Sequence, residues 1–163
     1  MLSQKMQAAF NEQIRNEIAS GYLYLAMSAY LESQNFGGAA HWMREQYKEE
    51  LDHAAKLFKH VTDRSGRVVL EAIEKPPVEF GSLKEVFQAV LAHEQKVTGL
   101  INKLYETALA EKDYPAQIEL QWFIKEQVEE EKTVEDILAQ IEACDGKPHL
   151  LLMIDHHLGK RGQ

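Results

Sequence analysis

Cysteine is nearly missing from this sequence: Cys144 is the only one in 163 residues. That excludes an internal disulfide and fits a reducing compartment. Proline (4) and glycine (9) are also scarce, and most of them gather around Gly37-Gly38, between Gly66 and Gly81, and at Gly146 to Pro148. Between those breaks the chain is free to run as long helices. No apolar run approaches the roughly 18 residues that span a bilayer, and no basic-then-apolar export signal follows Met1. The expectation is a cytoplasmic protein with no membrane partner. Basic residues are outnumbered 18 to 26, and the net charge of −8 repels nucleic-acid phosphates and anionic lipid. The acid surplus has two readings, a solvated surface or an attraction for cations, and the positions of the acids decide between them.

What is present is helical rhythm. From about Lys5 to Gln34, the positions Phe10, Ile14, Glu17, Gly21, Tyr24, Ser28 and Leu31 recur at alternating steps of four and three, the inward seam of a bundle helix. A second helix, about Gly38 to Arg64, carries Met43, Tyr47, Glu50, Ala54, Leu57 and Val61 in the same rhythm. Gly66, Pro76-Pro77 and Gly81 then forbid a continuous helix between Ser65 and Gly81. Extended, these roughly 17 residues reach about 56 Å, more than the roughly 40 Å of a 27-residue helix. The connection can therefore cross the whole bundle and set the second and third helices parallel.

Ser82-Leu83-Lys84-Glu85 is a capping box, and it opens a third helix with the seam Leu83, Phe87, Val90, Glu94, Val97, Ile101, Leu104 and Ala108. A tight joint from Lys112 to Pro115 leads into a fourth, with Ala116, Leu120, Phe123, Gln127, Glu130, Val134, Ile137 and Ile141 inward. Asp145-Gly146 stops it. The run Leu150 to Ile154 is too apolar for a free tail and is expected to dock, with another subunit as one candidate surface. The predicted fold is all-α: one domain over 1–163, comprising a four-helix bundle (about 5–143), one long crossover (about 65–81) and a short C-terminal helix (about 148–158).

Glu50 and His53 lie three residues apart, so they share a helix face and can reach one point. Every seam also carries one acid near its centre: Glu17, Glu50, Glu94 and Glu130. Each falls within about three residues of its helix midpoint, or roughly 4 Å along the axis. A bundle of near-equal helices stacks them in one layer, with His53 and Gln127 alongside. Burying even one unpaired carboxylate costs several kcal/mol, and no seam position holds Lys or Arg. Protonation or water relieves one or two, whereas two divalent cations match all four charges. Oxygen donors with one imidazole suit structural zinc poorly. Iron and manganese both fit, and a close pair of such ions can reduce dioxygen together.

The segments Glu49 to His53, His93-Glu94 and Glu126 to Glu130, set on this helix pattern over nearly the whole chain, resemble bacterial and archaeal non-haem ferritins, members of the ferritin-like di-iron carboxylate family. The resemblance implies a first iron site at Glu17, Glu50 and His53, and a second at Glu50, Glu94 and Glu130 with Gln127 nearby. It implies ferroxidase chemistry, two Fe(II) per subunit oxidised by dioxygen or peroxide, and ferric oxide stored in a homo-oligomeric shell of 24 chains. A non-storing di-metal oxidase or peroxidase of the same fold is the alternative, and a metal-free helical module comes last.

Glu49, Glu126 and Glu129 resemble a third iron site, although their positions also suit a solvated helix face. Tyr24 leans toward the site; the resemblance gives it a hydrogen-bonding or electron-donating catalytic role, and a core tyrosine is the other reading. Trp122 has the same electron-donating reading beside that of a packing tryptophan, which is preferred, and His149, His156 and His157 are read as surface or subunit-contact residues. The bacterioferritin pattern has a second Glu-x-x-His where this chain has Gln127-Val128-Glu129-Glu130, and a haem methionine where Leu51 stands, so haem is not expected. A single cysteine excludes an appended rubredoxin module of the rubrerythrin kind.

Overall fold

Five helices carry the described residues, 1–162, of the computed structural model, and no strand occurs among them. They are α1 (Gln4–Ser33), α2 (Gly37–Asp63), α3 (Leu83–Ala110), α4 (Tyr114–Ala143) and α5 (Pro148–Leu158). Gln163, the last residue of the expected domain, lies outside the described residues. The starts follow local chemistry: the Ser3 hydroxyl accepts from the Met6 amide, Ser82 and Glu85 close the capping box, and Asp113 accepts from Ala116 with Pro115 beside it. The stops follow a common device without glycine. Asn35, Ser65, Lys112 and Asp145 take φ of 63°, 58°, 53° and 48° just past α1 to α4, and the amides of Phe36, Gly66 and Asp113 reach back five residues to Leu31, Val61 and Ala108.

The crossover, residues 64–82, runs the length of α1. Near one end of α1, Asn11 Nδ2 donates to the Arg67 carbonyl; near the other, the Tyr30 hydroxyl donates to the Gly81 carbonyl. Helices α2 and α3 therefore start at the same end of the bundle and run parallel, while the short joints make α1 and α2, and α3 and α4, antiparallel. The core falls into two apolar clusters. One gathers Tyr24, Met27, Leu31, Met43, Phe87, Val90, Val134 and Ile137; the other gathers Phe10, Ile14, Leu57, Val97, Ile101, Leu120 and Phe123. Buried polar side chains of all four long helices separate them.

One expectation needs correction, and another gains its surface. On α2 the seam is wider than predicted: Tyr47 is only half-buried, whereas Gln46 is wholly enclosed. Residue 46 faces α4, where Glu130 receives its amide. The apolar run after Pro148 docks on its own chain. Ile154 and Leu158 pack against the first cluster, and the Asp155 carboxylate caps α2 by accepting from the Gly38 and Ala39 amides at 3.1 and 2.7 Å. A Cβ at Gly38 would lie 1.7 Å from the Asp155 carbonyl oxygen, so only glycine admits this approach. Leu152 and Met153 are left on the outer side, exposed. No helix among the described residues is long and apolar enough to cross a membrane.

Candidate metal centre

The layer between the two clusters is built from α1 (Glu17), α2 (Glu50, His53), α3 (Glu94) and α4 (Gln127, Glu130), all buried. Glu17, Glu50 and His53 offer ligand atoms within 4.8 Å of one another, the only such trio among the described residues. The spacing of three on α2 sets His53 Nδ1 3.6 Å from Glu50 Oε2. Close approach of α1 to α2 brings in Glu17. One turn along from it, a Cβ on Gly21 would already sit 3.3 Å from the Tyr47 ring and 3.5 Å from the Glu50 Cβ.

Glu94 and Glu130 share the layer but are held by other partners. The Tyr24 hydroxyl donates to Glu94 Oε1, and Gln127 Nε2 donates to Glu94 Oε2 at 3.1 Å. Gln46 Nε2 donates to Glu130 Oε2 at 3.0 Å, and Gln13 Nε2 to Glu17 Oε1 at 2.8 Å. Glu50 Oε2 is buried with no hydrogen-bond partner. His93, although next to Glu94 in sequence, turns toward α1 and lies 2.8 Å from the Ser20 hydroxyl.

No lysine or arginine is among the buried side chains of the described residues. Burial therefore acts on the acids almost unopposed. It raises Glu17 well above the ordinary carboxylate range, with Glu50 adding to the effect; Glu50 rises through burial and then the charge of Glu94. Glu94 rises through burial despite the hydrogen bonds from Tyr24 and Gln127, and Glu130 is pushed up to about 7 by burial and Glu94. Without a cation the layer holds protons. The donor set, four carboxylates and one imidazole, and the unpartnered Glu50 oxygen both fit divalent cations in their place.

The secondary candidates separate. Glu49, half-exposed, is paired with Arg161 at 2.6 Å; Glu126 is partly buried and Glu129 exposed, and the three form no ligand cluster of the kind seen at Glu17. Trp122 is not a core residue. It is 38% exposed, edge-on to His53 with 5.3 Å between ring centroids, under the Lys56 ammonium. His149, His156 and His157 lie exposed.

A family model for the ferritin-like domain matches residues 7–144. The chain is 40% identical to the bacterial non-heme ferritin of Bacteroides fragilis over 161 residues, covering 99% of this chain and 100% of that one. It is 37% identical to the Staphylococcus epidermidis protein of the same name, covering 99% and 97%. Among solved structures, an open-pore ferritin from the archaeon Archaeoglobus fulgidus superimposes with a TM-score of 0.97 at 43% identity, covering 99% of both chains. The chain belongs to the ferritin family.

Two residues of this ferritin's centre escape a reading by seams, Gln13 and Gln46. Both are buried, at 3% and 0% exposure, yet both flank the apolar seam rather than stand on it. The spacing hints only at Gln13, four residues before its partner Glu17; Gln46 also stands four before an acid, Glu50, but holds Glu130 on another helix.

Proposed function

We propose that this iron-storage ferritin is a ferroxidase, with Fe(II) as the substrate of the central layer. One ion takes Glu17, Glu50 and His53, a second takes Glu50, Glu94 and Glu130, and Gln127 and Tyr24 stand beside them. The reading is carried by one observation: four buried carboxylates and an imidazole meet in one layer with no buried cation to neutralise them. Two ferrous ions supply the missing charge, as they displace the protons that the acids hold. Each then gives up one electron, and dioxygen takes up both with two protons to leave as hydrogen peroxide. Peroxide is the other oxidant of this class. The ferric product is stored as oxide inside a shell of 24 copies. Haem has no part in this chemistry, and the cytoplasm is the compartment.

Anaerobic Fe(II) titration, then oxygen, then sizing tests this. The expected result is two tightly bound Fe(II) per chain, oxidation on mixing, and a large particle that retains iron. A stoichiometry near zero removes the centre. A chain of 18.7 kDa that stays monomeric across salt and iron conditions removes storage and leaves a non-storing oxidase.

A further inference from the structure

Three of the four carboxylates in the layer are each held by one buried glutamine. Gln13 holds Glu17, Gln46 holds Glu130 and Gln127 holds Glu94, at 2.8, 3.0 and 3.1 Å. The glutamines are 3%, 0% and 4% exposed. Glu50 has no such amide, and its Oε2 is unpartnered. An amide donor fixes a carboxylate without cancelling its charge; a lysine or arginine in the same place would do both. The Gln46 carbonyl oxygen, Oε1, is itself buried with no partner. A buried amide oxygen left unpaired costs free energy, so this group is poised for a donor such as water carried in by a cation.

We infer that Gln13 and Gln46 are positioning residues, one for each half of the metal centre: Gln13 sets Glu17 for the ion shared with His53, and Gln46 sets Glu130 for the ion on Glu94. The inference rests on the two-ion reading above. The Glu50 carboxylate, free of a glutamine, is the one that turns to serve both ions. The collar is neutral, so the layer's full charge remains available for metal, while three of its carboxylates are placed before metal arrives. Gln46 adds a second contribution through its carbonyl oxygen, which accepts from a metal-bound water on the Glu130 side.

The test uses the assembled protein titrated anaerobically with Co(II), which stays divalent there and reports coordination through its visible absorption. Methionine nearly matches glutamine in volume but lacks the amide, so Gln13→Met and Gln46→Met remove the hydrogen bonds while filling the space. Losing one hydrogen bond to a charged group corresponds to an affinity loss of about ten- to a hundredfold. The expected pattern is a crossed one. Gln13→Met weakens the ion whose spectrum carries the nitrogen ligand His53, Gln46→Met weakens the all-oxygen ion, and each leaves the other ion's dissociation constant within about twofold.

Wild-type affinities and spectra in both variants overturn the inference while leaving the two-ion centre intact, and so does an equal weakening of both ions by either one. If a methionine variant does not fold, the asparagine variant, polar but one methylene too short to reach, is read by the same criteria. A wild-type protein that binds no Co(II) in the layer removes the two-ion centre and this inference with it.

Discussion

The Tyr24 hydroxyl donates to Glu94 Oε1, joining α1 to α3 through the centre of the bundle. Tyr24 is wholly buried, and its own proton is held more firmly by burial and by the charge of Glu94. With Gln127 on the other oxygen, Glu94 is held from two sides. Tyr24→Phe keeps the ring and releases one of them. Apo stability is expected to fall by about 1 to 2 kcal/mol in urea unfolding, since a buried acid loses a donor. Stopped-flow oxidation of two Fe(II) is expected to slow. A variant that keeps the wild-type rate returns Tyr24 to the role of a core tyrosine.

Glu50 differs from the other three acids in having no glutamine to hold it. It is buried among other acids, and one of its oxygens has no partner. In the proposed centre Glu50 is the carboxylate common to both ions, so with Glu50→Ala rapid paired oxidation is expected to disappear. Apo stability is expected to stay level or rise, because an acid that resists desolvation leaves the layer, offset in part by a small cavity. If Glu50 instead held a structural pair, the same change would cost roughly 3 kcal/mol or more. Melting of both apoproteins beside stopped-flow oxidation separates these cases; a much lower melt with a wild-type rate would place the chemistry elsewhere.

The four acids of the layer were legible in the sequence because a seam of period three and four admits only inward residues, and an acid there is costly unless something neutralises it. The long crossover was legible from Gly66, Pro76-Pro77 and Gly81, which no continuous helix tolerates. Gln13 and Gln46 were not, since a glutamine is unremarkable on either face of a helix and its role appears only when a carboxylate from the same or another helix is placed beside it. That α5 docks was legible from its apolar run, but where it docks was hidden for a similar reason: the capping of α2 by Asp155 joins residues 117 and 116 positions apart.

That capping contact gives its own prediction. Cys144 is buried in the same cluster as Ile154 and Leu158. Gly38→Ala forces a methyl into the Asp155 carbonyl and is expected to release α5, with faster thiol labelling of Cys144 as the readout. Asp155→Ala removes only the cap and is expected to cost about 1 kcal/mol, with a smaller gain in labelling. If Gly38→Ala leaves labelling at the wild-type rate, α5 is not held at this point.

The pH dependence of the apoprotein follows from Glu130, whose carboxyl is pushed up to about 7 from an ordinary value of 4.5. Below 4.5 the folded and unfolded chains both carry the proton, and nothing is lost. Between 4.5 and 7 the unfolded chain releases it and the folded chain keeps it, so folding takes up a proton and stability falls as pH rises. Above 7 both are ionised and the loss is constant. His93, lowered to about 4 by burial, acts in the opposite direction over 4 to 6.5, and Glu17, Glu50 and Glu94, raised by burial as well, act in the same direction as Glu130, so the wild-type profile alone mixes them. Comparison with Glu130→Gln cancels the groups the two proteins share. In the presence of EDTA the variant's advantage over wild type is expected to grow from pH 5 to pH 7 and then level off, reaching on the order of 3 kcal/mol. Saturating divalent metal is expected to reverse it, because the wild-type carboxylate is then ionised and bound. Parallel urea-unfolding profiles for the two proteins across this range would show that Glu130 holds no proton in the folded apoprotein.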